Sequence, residues 1–138
     1  MKKFFAILIL FGLLNIISTT YASLPTPTQA IRENLLEDAV LDLLTKPIYS
    51  AIDDYYGTTY NIAAHCQRVI DIKKLRHPGS WYFEVEIEFV TYTGAHNYMD
   101  IFIVTLKKDR ETEGKWITQK YDVRKYDQKE KYECRSPA

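Results

Sequence analysis

The stretch Ile48-Tyr-Ser-Ala-Ile-Asp-Asp-Tyr-Tyr-Gly57 decides the fold, because the hydrophobic period changes on either side of it. At about 100° per residue, Ile48, Ala51, Ile52 and Tyr55 share one side of a helix, with Tyr49 and Tyr56 on its shoulder. Asp53 and Asp54 then lie on the far side with Ser50, and Gly57 is the natural left-handed stop. Adjacent helical carboxylates diverge by about 100°, so Asp53 and Asp54 read as a solvated face and not as an acid–base pair.

Upstream, Ile31, Leu35, Leu36, Ala39, Val40 and Leu43 recur at helical spacing over Ala30 to Leu44. Thr26-Pro-Thr-Gln29 supplies an N-cap, a first-turn proline and the capping-box spacing. Pro47 removes a helical hydrogen bond and crowds the preceding turn, so a kink or restart is predicted there.

Downstream the pattern alternates. Tyr60, Ile62, Ala64, Cys66, Ile70 and Ile72 mark a first strand, and His77-Pro-Gly-Ser80 a turn with Gly79 suited to positive φ. Trp81, Phe83, Val85, Ile87 and Phe89 alternate with Tyr82, Glu84, Glu86 and Glu88 in a second strand. Gly94 to Asn97 turns into a third strand over Tyr98 to Leu106, and Trp116 to Val123 makes a fourth. The predicted fold is α+β: a kinked N-terminal amphipathic helix packed on one face of a four-stranded antiparallel meander. The sheet is open to curvature of a cystatin-like or nuclear-transport-factor-2-like kind. The charged tail, residues 124–138, has no apolar period and is expected to pack loosely after a single domain at 29–123.

The chain begins with Lys2-Lys3, an apolar run from Phe4 to Ile17 and a small residue at Ala22. That is the layout of a signal peptide cleaved after Ala22, followed by an extended lead-in at 23–28. The run is shorter than the roughly 18–20 residues a spanning helix needs, although an uncleaved anchor is the alternative. A secreted or envelope-associated protein is expected, with no membrane association after cleavage. With 18 Lys+Arg against 18 Asp+Glu the chain lacks the basic excess that nucleic-acid binding needs. Cys66 and Cys134 permit one disulfide in an exported protein, or two free thiols. No CxxC or HxxxH spacing points to a metal, and no cofactor motif is legible.

The order of these pieces resembles a known family. Ala51-Ile-Asp-Asp-Tyr-Tyr-Gly57, Ile70-Asp-Ile-Lys-Lys-Leu75, Phe83-Glu-Val85 and Thr93-Gly-Ala-His-Asn97 are similar to a family of small exported proteins of spore-forming Gram-positive bacteria whose domain has no assigned function. The likeness spans roughly residues 33–107. Here Tyr98-Met-Asp100 runs straight into Ile101-Phe-Ile103, which shortens the family's loop after Gly-x-His-Asn. The resemblance implies export and fold class, and no activity.

Candidate function therefore rests on the sheet face opposite the helix. Glu86 and Glu88 share it with Glu84, and Val90, Tyr92, Met99, Ile101 and Ile103 lie beside them. So many apolar residues on a solvated face point to an interface, a homodimer among the choices, or to a cavity in a curved sheet. The partner- or ligand-binding set is Glu86, Glu88, Tyr92, His96, Ile101 and Ile103. The ordinary reading of the glutamates is a solvated row balanced by Lys73, Lys107 and Lys120, and that of His96 a turn residue. On strict alternation His65 points away from Cys66 and the two form no dyad. A non-catalytic binding domain is the leading expectation, for an unidentified protein or small ligand. An enzyme with Glu88 or His96 as base is the second, and a cystatin-like protease inhibitor the third.

Overall fold

The computed structural model describes residues 32–57, 61–95 and 97–135. The expected signal peptide, lead-in and capping box, and His96, lie outside them. One helix, α1 (Arg32–Tyr56), precedes four strands: β1 (Ile62–Lys74), β2 (Phe83–Thr93), β3 (Asn97–Lys108) and β4 (Ile117–Lys125). The strands form one open antiparallel sheet in the order β1-β2-β3-β4, as the meander predicts. α1 packs on one face of it, giving the α+β architecture.

α1 does not restart at Pro47. It is continuous through that residue, which is buried, and the Pro47 carbonyl accepts a hydrogen bond from Thr118 Oγ1 at 2.9 Å. The buried stripe is Leu41, Leu44, Ile48, Ala51 and Ile52. It meets Val85, Ile87 and Phe89 of β2 and Phe102, Val104 and Leu106 of β3, with Phe89 and Phe102 stacked 5.1 Å apart. Full burial of each such side chain contributes about 1.5–3 kcal/mol. Leu35, Leu36 and Leu43 belong to the same periodic pattern, yet they are exposed. Leu43 instead borders an open groove at the edge of the helix–sheet contact. Tyr55 is likewise more exposed than Tyr56.

Register departs from strict alternation in β1, between His65 and Arg68 and again between Val69 and Asp71. Cys66 sits in the first irregularity with φ 52°. A bulge of this kind adds a residue and re-aims its side chain. Strict alternation therefore fails here: a ring nitrogen of His65 and the sulfurs of Cys66 and Cys134 all lie within 4.8 Å of one another. Cys66 and Cys134 form a disulfide with Cα atoms 4.8 Å apart. Gly79 in the His77–Ser80 turn does not take positive φ; the left-handed residue is Arg76, just before the turn, at φ 68°.

The neighbouring leucines of α1 give a direct test of which face is docked. Leu44→Ala should cost about 2–5 kcal/mol in urea unfolding, whereas Leu43→Ala should stay within about 0.5 kcal/mol. Equal costs would mean that α1 is rotated from the arrangement described.

Candidate functional site

The face opposite α1 carries the glutamate row, but its members end in different surroundings. Glu84 lies 3.7 Å from Lys73. Glu86 lines an open cavity of about 360 Å³ with Asp71, Lys73, Thr105 and Lys120. Glu88 accepts from Arg68 at 2.6 Å and from the Tyr132 hydroxyl at 2.9 Å. Tyr92 meets the His65 ring edge-on at 5.8 Å, Ile103 is half-buried and Ile101 is buried. Lys107, expected to balance the glutamates, instead bridges Asp109 at 2.7 Å and Glu111 at 3.5 Å.

Much of this outer face is covered by the tail, which packs as a strap through Arg135. After β4, the Tyr126 N–H donates to the Met99 carbonyl and its ring sits 5.1 Å from Tyr98 on β3. Arg124 makes two parallel bonds to Glu130, each 2.7 Å, the planar fork matching the carboxylate. Tyr132 then reaches Glu88 on β2, Cys134 joins Cys66 on β1, and Arg135 bonds the Gln67 carbonyl and pairs with Glu37 and Asp38 of α1. These contacts run across the whole sheet in order. Val90 and Ile101, apolar residues of the same outer face, are 0% and 1% exposed. Burial, with the Glu88 carboxylate beside it, pushes the Tyr132 phenol well above its ordinary value. Arg124 holds Glu130 below the usual carboxylate range.

A second cluster lies on the inner face at the end of α1. The Tyr56 hydroxyl donates to Asp100 Oδ2 at 2.5 Å and lies 2.8 Å from Thr91 Oγ1. Lys125 Nζ is 2.9 Å from Asp100 Oδ1, and Asp100 itself is fully buried. Sequence reading missed this group, although Asp100 is in phase with Phe102, Val104 and Leu106 and a carboxylate in a core phase signals a paired partner. Next to it the Tyr121 hydroxyl donates to Asp54 at 2.6 Å, tying β4 to α1, and Asp53 and Asp54 are both exposed, as a solvated face predicts. Desolvation and the Asp100 carboxylate raise the Tyr56 phenol, and hydrogen bonding to Asp54 raises Tyr121. Both carboxylates are engaged in holding the helix end.

An apolar surface remains between α1 and the far end of the sheet. Val40, Leu43, Leu44, Ile72, Phe83, Val85 and Trp116 line a groove of about 170 Å³. Beside it, Leu43, Lys46, Pro47, Trp116 and Ile117 line a wider depression of about 570 Å³ that also includes Lys115. Leu43 is 72% exposed and Ile72 55%, and Trp81 on the adjoining hairpin is 78% exposed with Lys74 over its ring. These apolar side chains are rimmed by Lys46, Lys74 and Lys115.

The three tyrosine–carboxylate pairs give the fold an alkaline limit. Tyr56, Tyr121 and Tyr132 are each raised above 10.0, so the unfolded chain ionises first and releases protons that the folded chain keeps. Their contribution is intact below about pH 10 and declines as pH rises beyond it. Urea midpoints measured from about pH 8 to about pH 11 should fall steeply in the upper part of that range. Tyr56→Phe should shallow the fall and cost about 1–3 kcal/mol at neutral pH, because Asp100 loses a buried donor.

Residues 36–130 match the family described as Protein of unknown function (DUF3888), a span that runs from α1 through β4 to Glu130 of the strap. No curated protein and no solved structure matches the chain. With most of the helix and all four strands inside the matched span, the chain belongs to the DUF3888 family.

Proposed function

We propose that the protein is exported and acts at the cell envelope as a non-catalytic binding domain, taking a partner segment into the apolar groove beside Leu43. The observation that carries this reading is the exposure of Leu43, Ile72 and Trp81 around a groove lined by Val40, Phe83 and Trp116. Exposed apolar residues gathered at one place mark interaction sites on soluble domains. The rim of Lys46, Lys74 and Lys115 favours a polypeptide that pairs apolar side chains with acidic ones. Export is supported by Lys2-Lys3, the apolar run from Phe4 to Ile17 and Ala22, and by a disulfide, which persists in oxidising compartments. Acid–base chemistry is disfavoured because Glu88 and Asp100 already have close partners. A homodimer through the outer face, using Ile101 and Ile103, would first require the strap to lift.

The reading is tested by expressing the full chain beside Leu43→Glu/Trp81→Glu and comparing envelope and medium fractions. Both positions are largely exposed, so the variant should keep the wild-type circular dichroism and Tm. Wild type should be held in the envelope fraction, with its N-terminus at Ser23, and the variant should be released to the medium. Equal partition of the two, or wild type found only in the cytoplasm, would overturn the proposal.

A further inference from the structure

The bulge in β1 places three metal-binding side chains together: His65, Cys66 and Cys134 offer one nitrogen and two sulfurs within 4.8 Å. They come from the bulge and the strap, 68 residues apart for the two cysteines, which is why no sequence spacing announces them. A zinc ion bound at about 2.3 Å from sulfur and about 2.0–2.1 Å from nitrogen needs its ligand atoms roughly 3.3–3.8 Å apart. The sulfurs of a disulfide are about 2.05 Å apart, so cleavage of that bond and a turn of the freed cysteine side chains give the required separation. Cys134 is exposed, so its side chain has room to turn toward a bound ion while Arg135 keeps the strap anchored. The His65 ring is held by Tyr98, stacked at 6.0 Å, and by Tyr92, edge-on at 5.8 Å. Solvent reaches all three residues through a cleft of about 390 Å³. Arg135, which lines the same cleft, is balanced by Glu37 and Asp38.

We propose that the reduced protein binds one Zn²⁺ through Cys66, Cys134 and His65, and that this site and the disulfide are alternative ways of fastening the strap to β1. A dithiol or phosphine reductant supplies the two electrons that convert the disulfide into two thiols. Each thiol loses its proton on binding, so two protons are released and two thiolates neutralise the dication, with neutral imidazole as third ligand and water completing four-coordination. Oxidation of the two thiolates to the disulfide returns two electrons to the oxidant and expels the ion. The site is separate from the groove beside Leu43, and its presence does not depend on export.

The full chain, reduced with a phosphine under anaerobic conditions, should be titrated with Co²⁺ as a spectroscopic substitute for zinc. One equivalent should produce sulfur-to-cobalt charge transfer in the near ultraviolet and strong visible bands of a four-coordinate ion, both abolished by Zn²⁺. Zn²⁺ should also raise the Tm of the reduced protein and leave that of the oxidised protein unchanged. His65→Gln should keep the wild-type Tm when oxidised but lose about 100-fold or more in affinity when reduced, beyond the roughly 10–100-fold typical of losing an outer partner. Cys134→Ser should lose most of the charge-transfer intensity. Should the reduced chain unfold without metal, Zn²⁺ must restore its folded circular dichroism. No charge transfer, no thermal shift or refolding with Zn²⁺, or a His65→Gln protein that binds like wild type would each overturn the assignment.

Discussion

Everything in this fold follows from the docking of one helical stripe, Leu44, Ile48, Ala51 and Ile52, on Phe89 and Phe102 at the centre of the sheet. That contact fixes which face of β2 and β3 is inner. Because strand side chains alternate, it also determines what the outer face carries. Val90 and Ile101 fall on that outer face, where a single helix cannot cover them. The strap crosses that same face, and it needs anchors because its described residues form no strand. Tyr126, Tyr132, Cys134 and Arg135 provide those anchors on β3, β2, β1 and α1. The disulfide closes the path. A link over 68 residues restricts the unfolded chain by roughly 4 kcal/mol in the loop-entropy picture, and it also holds a segment with little core of its own.

The parts of the fold legible in the sequence are those where a period repeats without interruption. Val85, Ile87 and Phe89 against Glu84, Glu86 and Glu88 located β2 and its two faces, and the helix was evident from its apolar spacing. Periodicity describes which side chains share a face; it does not say how far the opposing surface extends. Leu35, Leu36 and Leu43 share the apolar pattern of α1 but remain exposed. Where the backbone breaks the period, inference by alternation fails, as it does for His65 and Cys66 at the bulge. The strap was illegible for another reason: its anchors act singly, each on a different strand, so no local pattern records them. Asp100 was readable in principle from its phase, but its partners Tyr56, Thr91 and Lys125 come from three other elements.

The acidic residues that looked most like chemistry have a common structural use. Tyr56 to Asp100 joins α1 to β3, Tyr121 to Asp54 joins β4 to α1, and Tyr132 to Glu88 joins the strap to β2. In each pair a phenol meets a carboxylate across elements that do not hydrogen-bond to one another through their backbones. Tyrosine suits this position because its ring adds apolar contact while its hydroxyl donates without a second charge to desolvate. Tyr55, Tyr56 and Phe102 show the apolar half of that bargain, packed edge to face around the helix end at 4.7 and 5.3 Å.

In each of these pairs one carboxylate oxygen accepts from a phenol, and the proton stays on the tyrosine. The surface near Leu43 differs in kind. It has no donor or acceptor pairs to satisfy, it lies away from the strap, and its apolar residues belong to α1, β1, β2 and the β3–β4 connection at once. Four elements converge there without sealing the core, although the same chain closes the opposite sheet face with a strap and a disulfide. Covering one apolar surface at the cost of ordering ten residues, while leaving another of comparable chemistry open, sets the groove apart from the incidental exposure of single side chains.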